Sequence, residues 1–229
     1  MTEIRILPLA GIPEVTDGDD VAALLVEAAG DGVLANDDVV VVAHKIVSKS
    51  EGRVRPAAEK EEMVASESAR VLRRTAGGMW IGETRHGFVC ANAGIDASNV
   101  PGDNILLLPV DPDLSARRIR SRIRHLTGAD VAVIVSDTFG RAWRIGQTNV
   151  AIGVAGMDPF LDHRGEEDRS GMELGATNIC IADELAGAAE MVMGKTLGIA
   201  AALIKGSPIR RGPGSAASIV RSPAEDLFR

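Results

Sequence analysis

The stretch VAVIVSDTFGRAWRIGQ, residues 131–147, changes character in its middle. Five apolar residues run into Ser136, Asp137 and Thr138, and a loop carrying two arginines, one of the two tryptophans and two glycines is expected to follow. A short apolar run bounded by polar residues reads as a buried strand. Polar groups at the carboxyl end of such a strand lie where open sheets tend to hold ligands. Burying an unpaired carboxylate there is costly, so Asp137 calls for a partner. An internal ion pair with Arg141 is one answer. The other is a ligand site, in which Asp137 and Thr138 hold a metal while Arg141 and Arg144 offer planar forks to a phosphate or carboxylate.

Working outward, further strand-like runs are IRILPL (4–9), VVVVA (39–43), MWIGE (79–83), GFVCANAGI (87–95), NILLLPV (104–110), NVAIGVAG (149–156), TNICIAD (177–183) and IAAALIKG (199–206). Helical patterns fall between them. One covers VAALLVEAA (21–29), capped by Asp19 or Asp20 and stopped by Gly30. Others cover the charged region 57–75, LSARRIRSRIRHL (114–126) and DELAGAAEMVM (183–193), the last stopped by Gly194. This mixture implies an α+β fold with mixed sheets and flanking helices. The order is too irregular for a simple barrel or a clean doubly wound sheet. Without an internal repeat or low-complexity linker, residues 1–229 are taken as one functional unit, of one domain or two subdomains.

The chain has 229 residues and a net charge of −7, which argues against a general nucleic-acid binder. Aromatic residues make up 3% and tyrosine is absent, so Val, Ile, Leu and Ala must fill the core. The first residues do not read as a signal peptide, and no apolar run reaches the roughly 18 residues of a membrane span. A cytoplasmic location is expected. Cys90 and Cys180 lack CxxC spacing and read as buried, reduced thiols. His86, His125 and His163 lack metal-ligand spacing and read as structural or solvent-facing.

Three further places gather polar groups after apolar runs. GIPEV (11–15) is a Gly/Pro turn with an acidic residue. AHKIVSKSEGR (43–53) brings His44, Lys45, Ser48, Lys49, Ser50 and Arg53 to the end of VVVVA, and lysine ammonium groups suit phosphate oxygens. ANAGIDASNVPGDN (91–104) contains Asp96, Ser98 and Asn99; Asp96 suits a hard cation that takes a second carboxylate from elsewhere. Gly194-Lys195-Thr196 imitates the end of a phosphate-binding P-loop, but Ala189 stands where that motif needs glycine. A helix stop with a dipole-complementing lysine is the expected reading. The arginines of 114–126 read as a solvated face, and HRGEEDRSGMELG (163–175) as an exposed flexible loop or lid.

Together, LPLAGIPEV, GDD (18–20), VVVVAHKIVSKSEGR, AGIDASNV, LPVDPD, VSDTFGRAWRIGQTNVAIGVAG, IADELAGAAEMVMGK and RSPAEDLFR resemble the coenzyme F420-0:L-glutamate ligase, or F420 gamma-glutamyl ligase, family. The resemblance implies that family's α+β fold, an intertwined homodimer, and GTP-dependent joining of L-glutamate to F420-0, followed by γ-linked glutamates. It also implies Mg²⁺ or Mn²⁺ at two sites, with K⁺ contributing. Matched residue by residue, Asp96 and Asp137 become metal carboxylates and Thr138 a ligand of a second metal. Ile12, Pro13, Glu14, Val15, Lys49, Asn99, Met193 and Gly194 become nucleotide contacts. His44 joins them through its backbone, because relatives carry a small polar residue there. Some relatives fuse this domain to a carboxyl-terminal flavin-binding, nitroreductase-like domain, which would begin near RSPAEDLFR. Two rival readings use the same residues: a metal-dependent nucleotide hydrolase or phosphotransferase, and a non-catalytic nucleotide-binding subunit.

Overall fold

A computed structural model describes residues 3–226. In chain order it contains β1 (Arg5–Pro8), α1 (Val21–Ala29), β2 (Val39–Ala43), α2 (His44–Ser50), β3 (Val54–Pro56), α3 (Lys60–Glu67), β4 (Ser68–Arg74), β5 (Trp80–Thr84), β6 (Val89–Ala91) and β7 (Asn104–Leu106). It continues with α4 (Pro112–Thr127), β8 (Ala132–Arg141), β9 (Arg144–Ala155), β10 (Leu161–Asp162), β11 (Asn178–Ile179), α5 (Ile181–Met193) and β12 (Ala201–Lys205). The fold is α+β, with mixed sheets and flanking helices.

The main sheet runs β1-β12-β2-β8-β9. Only β2 and β8 pair in parallel; the other neighbours are antiparallel. Because strand side chains alternate, the four valines of β2 divide between two cores. Val40 and Val42 pack with Val133, Val135 and Leu203 on the face covered by α1 and α4. Val39 and Val41 pack with Ala132, Ile134 and Ile204 on the face covered by α5. Burial on both faces explains why β2 reads as an unbroken apolar run rather than an alternation.

Helix ends follow local chemistry. Asp20 caps α1 by accepting a 3.1 Å hydrogen bond from Ala23 N–H, and Gly30 ends it. The same carboxylate pairs with Arg122 on α4 at 2.8 Å, while Arg120 pairs with Asp130 at 2.5 Å. The arginines of α4 therefore include fasteners between elements as well as a solvated face. Residues 163–175 are irregular and mostly exposed. No helix among the described residues is long and apolar enough to cross a membrane.

Five expectations need correction. The strand expected over 104–110 covers only Asn104–Leu106, where it pairs with β3. The helix expected over 57–75 stops at Glu67, and Ser68–Arg74 form β4 against β5. Tertiary pairing overrides the local pattern here: Ser68 Oγ donates to the Val64 carbonyl, Arg70 pairs with Glu83 across the strands, and Arg74 lies 3.8 Å over the Trp80 ring. The strand expected over 87–95 covers only Val89–Ala91, because Asn92, Ala93 and Gly94 have φ of 49°, 54° and 73°. The strand expected over 177–183 is Asn178–Ile179, since α5 already starts at Ile181. The loop expected after Thr138 is instead a continuation of β8, turning through Ala142 and Trp143 into β9. Thr138, Phe139, Ile145 and Thr148 suit that pleated ribbon.

The approach of α4 to β9 leaves no room for a side chain at Gly153, where a Cβ would lie 2.2 Å from the Pro112 carbonyl oxygen. Gly153→Ala is therefore expected to destabilise the protein by roughly 1–3 kcal/mol, measured as a lower midpoint in urea unfolding at unchanged slope.

Candidate active site

The site arises from strand direction. Parallel register sets Ala43 of β2 beside Ser136 of β8, so the next residues, His44 and Asp137, emerge side by side. β12 is antiparallel to β2 and β1 antiparallel to β12, which brings the segment before Ala201 and the segment after Pro8 to the same end. β9 returns from β8 with Asn149 opposite Thr138. Ile12–Val15, Ala43–Lys49, Ser136–Thr138 and Met193–Ala200 consequently contribute to one cleft of ≈ 340 Å³, with Asn99 at its wall. That volume lies at the lower end of small-molecule pockets.

The first two residues of α2 each face one aspartate. His44 is almost completely buried; its Nε2 lies 3.3 Å from Asp137 Oδ1 without the alignment of a hydrogen bond, and its Nδ1 lies 3.3 Å from Ser48 Oγ. Asp137 Oδ1 also accepts a 2.6 Å bond from Thr138 N–H. Lys45 places its ammonium 2.7 Å from Asp96 Oδ2 and 2.6 Å from Ser98 Oγ. Burial tends to raise the Asp96 carboxyl pKa, but hydrogen bonds from Lys45 and Ser98 and the lysine charge outweigh it and hold it below the usual value. One turn on, the buried Lys49 reaches Glu14 Oε1 at 2.5 Å.

A second cluster stands where β8 and β9 meet the end of α5. Thr138 Oγ1 donates to Asn149 Oδ1 at 2.6 Å, and Asn149 Nδ2 donates to Glu190 Oε2 at 2.9 Å. Lys195, just past α5, donates to Thr138 Oγ1 at 2.6 Å and lies 3.1 Å from Glu190 Oε1.

Of the residues expected from sequence, Ile12, Pro13, Glu14, Val15, His44, Lys49, Asn99, Asp137, Thr138, Met193 and Gly194 all line this cleft. Asp96 stands behind its wall, joined to it through Lys45. Arg141 and Arg144 do not line it: they face each other across the exposed hairpin tip. At about 3.3 Å per strand residue, Arg141 lies on the order of 13 Å along β8 from Asp137. The ion pair of Asp137 with Arg141 is not formed either, since His44 takes that place. Arg53 also points elsewhere, to the Leu108 carbonyl and Glu67. Sequence reasoning missed Asn149, Glu190 and the inward course of Lys195. The single available hint is the Gly-Lys-Thr triplet, whose lysine reads from sequence as part of a helix stop.

Among the described residues, no three His, Cys, Asp or Glu side chains form a ready-made metal cage. Mg²⁺ and Mn²⁺ need less where substrate oxygens and water complete the shell. Asp137, which lines the cleft, is a hard oxygen donor of that kind and fits such an ion. Asp96 and Thr138 each carry a lysine ammonium already, Lys45 at 2.7 Å and Lys195 at 2.6 Å, so either would join the ion only if its lysine moved away.

Residues 11–206 match the model of the F420-0:Gamma-glutamyl ligase family. The chain is 40% identical to a protein of Methanothermobacter thermautotrophicus named coenzyme F420:L-glutamate ligase, over 99% of both chains. Proteins of the same name from Methanopyrus kandleri and Haloarcula marismortui are also 40% identical, over 99% of this chain and 98% and 96% of theirs.

Both cysteines are free, as expected, although Cys180 is only partly buried. Burial pushes the Cys90 thiol up to about 12, with the nearby Asp137 charge adding to the effect, and burial likewise pushes Cys180 to about 12. Starting from 9.0, the thiolate fraction at pH 8 falls about a thousandfold. Alkylation by iodoacetamide, followed by mass spectrometry, should be slow at both residues in the folded protein and rapid in urea.

Proposed function

Because the chain belongs to the F420-0:Gamma-glutamyl ligase family, we propose that it is a ligase of coenzyme F420 biosynthesis that joins L-glutamate to F420-0 at the expense of GTP. A carboxylate is a poor acyl donor, so its activation must precede amide formation. Transfer of the γ-phosphoryl group of GTP to the lactyl carboxylate of F420-0 gives an acyl phosphate and GDP. The glutamate amine then attacks the acyl carbon, forming the amide and expelling phosphate; later glutamates add through γ-linkages. The observation that supports this most directly is the convergence of four distant segments, with three lysines among them, on one strand-end cleft.

Roles follow from placement. The Ile12–Val15 turn and the Met193–Gly194 segment would hold the guanine nucleotide, with Asn99 at the wall. Lys49 would exchange Glu14 for a phosphate, as a compact point charge can. Asp137 would hold Mg²⁺ or Mn²⁺, with Asp96 joining it as Lys45 turns from that carboxylate to a phosphate, and the ion would supply positive charge to the transferring phosphoryl oxygens; K⁺ is the expected accessory ion. His44 packs beneath Asp137 and restricts where its carboxylate points. No protein nucleophile is required, in keeping with two thiols held far from their reactive form. Arg141 and Arg144 take no part in the cleft of their own chain. The reading includes a homodimer, for which the hairpin tip offers the exposed Trp143 and Ile145.

Incubation with GTP, Mn²⁺, L-glutamate and F420-0 should add glutamyl units to the cofactor, seen by mass spectrometry. GTP hydrolysis without dependence on glutamate or F420-0, and no mass increase, would overturn the proposal in favour of a hydrolase. Asp137→Asn should lower turnover at least a hundredfold. Lys49→Met should weaken GTP binding about tenfold in calorimetry, and unchanged affinity would remove Lys49 from the nucleotide site.

A further inference from the structure

We propose that Lys195 is a built-in cation: its ammonium fills the oxygen cluster of Thr138, Asn149 and Glu190, and that cluster takes no divalent metal while the lysine is present. The hydrogen bonds around it run in one sense. Asn149 uses its amide N–H on Glu190 Oε2, 2.9 Å away, which orients its carbonyl oxygen towards Thr138. Thr138 spends its hydroxyl proton on that oxygen at 2.6 Å, leaving its lone pairs for another donor. Lys195 supplies the donor, with Nζ at 2.6 Å from Thr138 Oγ1, 3.1 Å from Glu190 Oε1 and 3.5 Å from Asn149 Oδ1. Three oxygens thus face a group with three protons.

The charge count agrees. Glu190 is the one formal negative charge among the three, and Lys195 offsets it, so a divalent ion arriving there would gain little from Glu190. Its approach would also bring two cations close together, which repel. The resemblance noted in the sequence implies a second metal at Thr138; in this chain a lysine side chain occupies that position. Gly194, at φ 59°, turns the chain back after α5 so that Lys195 reaches Glu190, five positions earlier on that helix.

The consequence rests on the ligase reading: transfer would use one divalent ion at Asp96 and Asp137, with a fixed lysine charge beside it. The occupancy of the oxygen cluster can be tested without the reaction. Mn²⁺ bound per chain is counted by electron paramagnetic resonance, in the presence of GDP, for wild type, Lys195→Ala and Lys195→Glu. Each variant is checked for its wild-type circular dichroism; Lys195 is half exposed, so its removal leaves the core intact. The variants are expected to bind one Mn²⁺ more than wild type. Adding Glu190→Gln to Lys195→Ala should abolish the extra ion. Equal counts in wild type and both variants, or an extra ion that survives Glu190→Gln, would overturn the proposal. The glutamyl-addition assay is read separately: its failure in wild type would remove the ligase reading, while the difference in ion count would still decide the role of Lys195.

Discussion

The parallel pairing of β2 with β8 is the constraint on which the site depends. It is the single parallel contact in a sheet whose other pairs are antiparallel, and parallel strands require a long crossover. Here the crossover contains every element from α2 to α4. What the pairing achieves is coincidence of position: β2 ends and its pairing with β8 stops at Ala43 and Ser136, which sets His44 and Asp137 beside each other. A one-residue slip would exchange the faces of every side chain on β2, exposing the two cores to mismatch. The hydrophobic packing of Val39–Val42 therefore specifies the position of the polar groups more strongly than the polar groups could themselves.

The charges around the cleft are already paired: Lys45 with Asp96, Lys49 with Glu14, Lys195 with Glu190. Pairs with one exposed partner contribute only about 0–1 kcal/mol. Glu14 is largely exposed even though its lysine is buried, so replacing it by a phosphate leaves the carboxylate in water and the ammonium still satisfied. Lys45–Asp96 differs, because Lys45 itself and two further contacts from Ser98 hold the carboxyl below its usual pKa. The walls thus combine an exchangeable cation with more firmly held charges. That is a workable preparation for a ligand that brings several negative charges and a metal of its own.

Much of this was legible in the chain. The apolar runs of β2, β8 and β12, the Asp20 cap and the stops at Gly30 and Gly194 follow from local rules, and structure honours them. The ends of those runs also marked the cleft. What could not be read was contact between distant residues. His44 and Lys49 are expected at the site from sequence, but the burial of both, and of Ser48 between them, follows only from how α2 packs. Residues 68–74 carried a helical pattern that β5 overrode. Asn149 and Glu190 lie 41 positions apart and carry no motif. Arg141 and Arg144 were drawn to the site by proximity in sequence alone, and an extended ribbon carries them away at more than twice the rise of a helix.

That ribbon also clarifies how the chemistry is divided. β8 presents Asp137 and Thr138 where it is still part of the packed sheet, with half-buried side chains, and then continues outward as a two-stranded arm whose residues are exposed. Geometry at Asp137 and Thr138 is consequently held by the core, whereas geometry at Arg141 and Arg144 is held only by their mutual pairing. A site that must place a carboxylate and a hydroxyl to within a fraction of an ångström can be built on the first segment but not on the second. With both thiols held far from their reactive form and the His44 ring against a carboxylate, what the cleft offers a ligand is a set of fixed charges where one parallel strand pair ends.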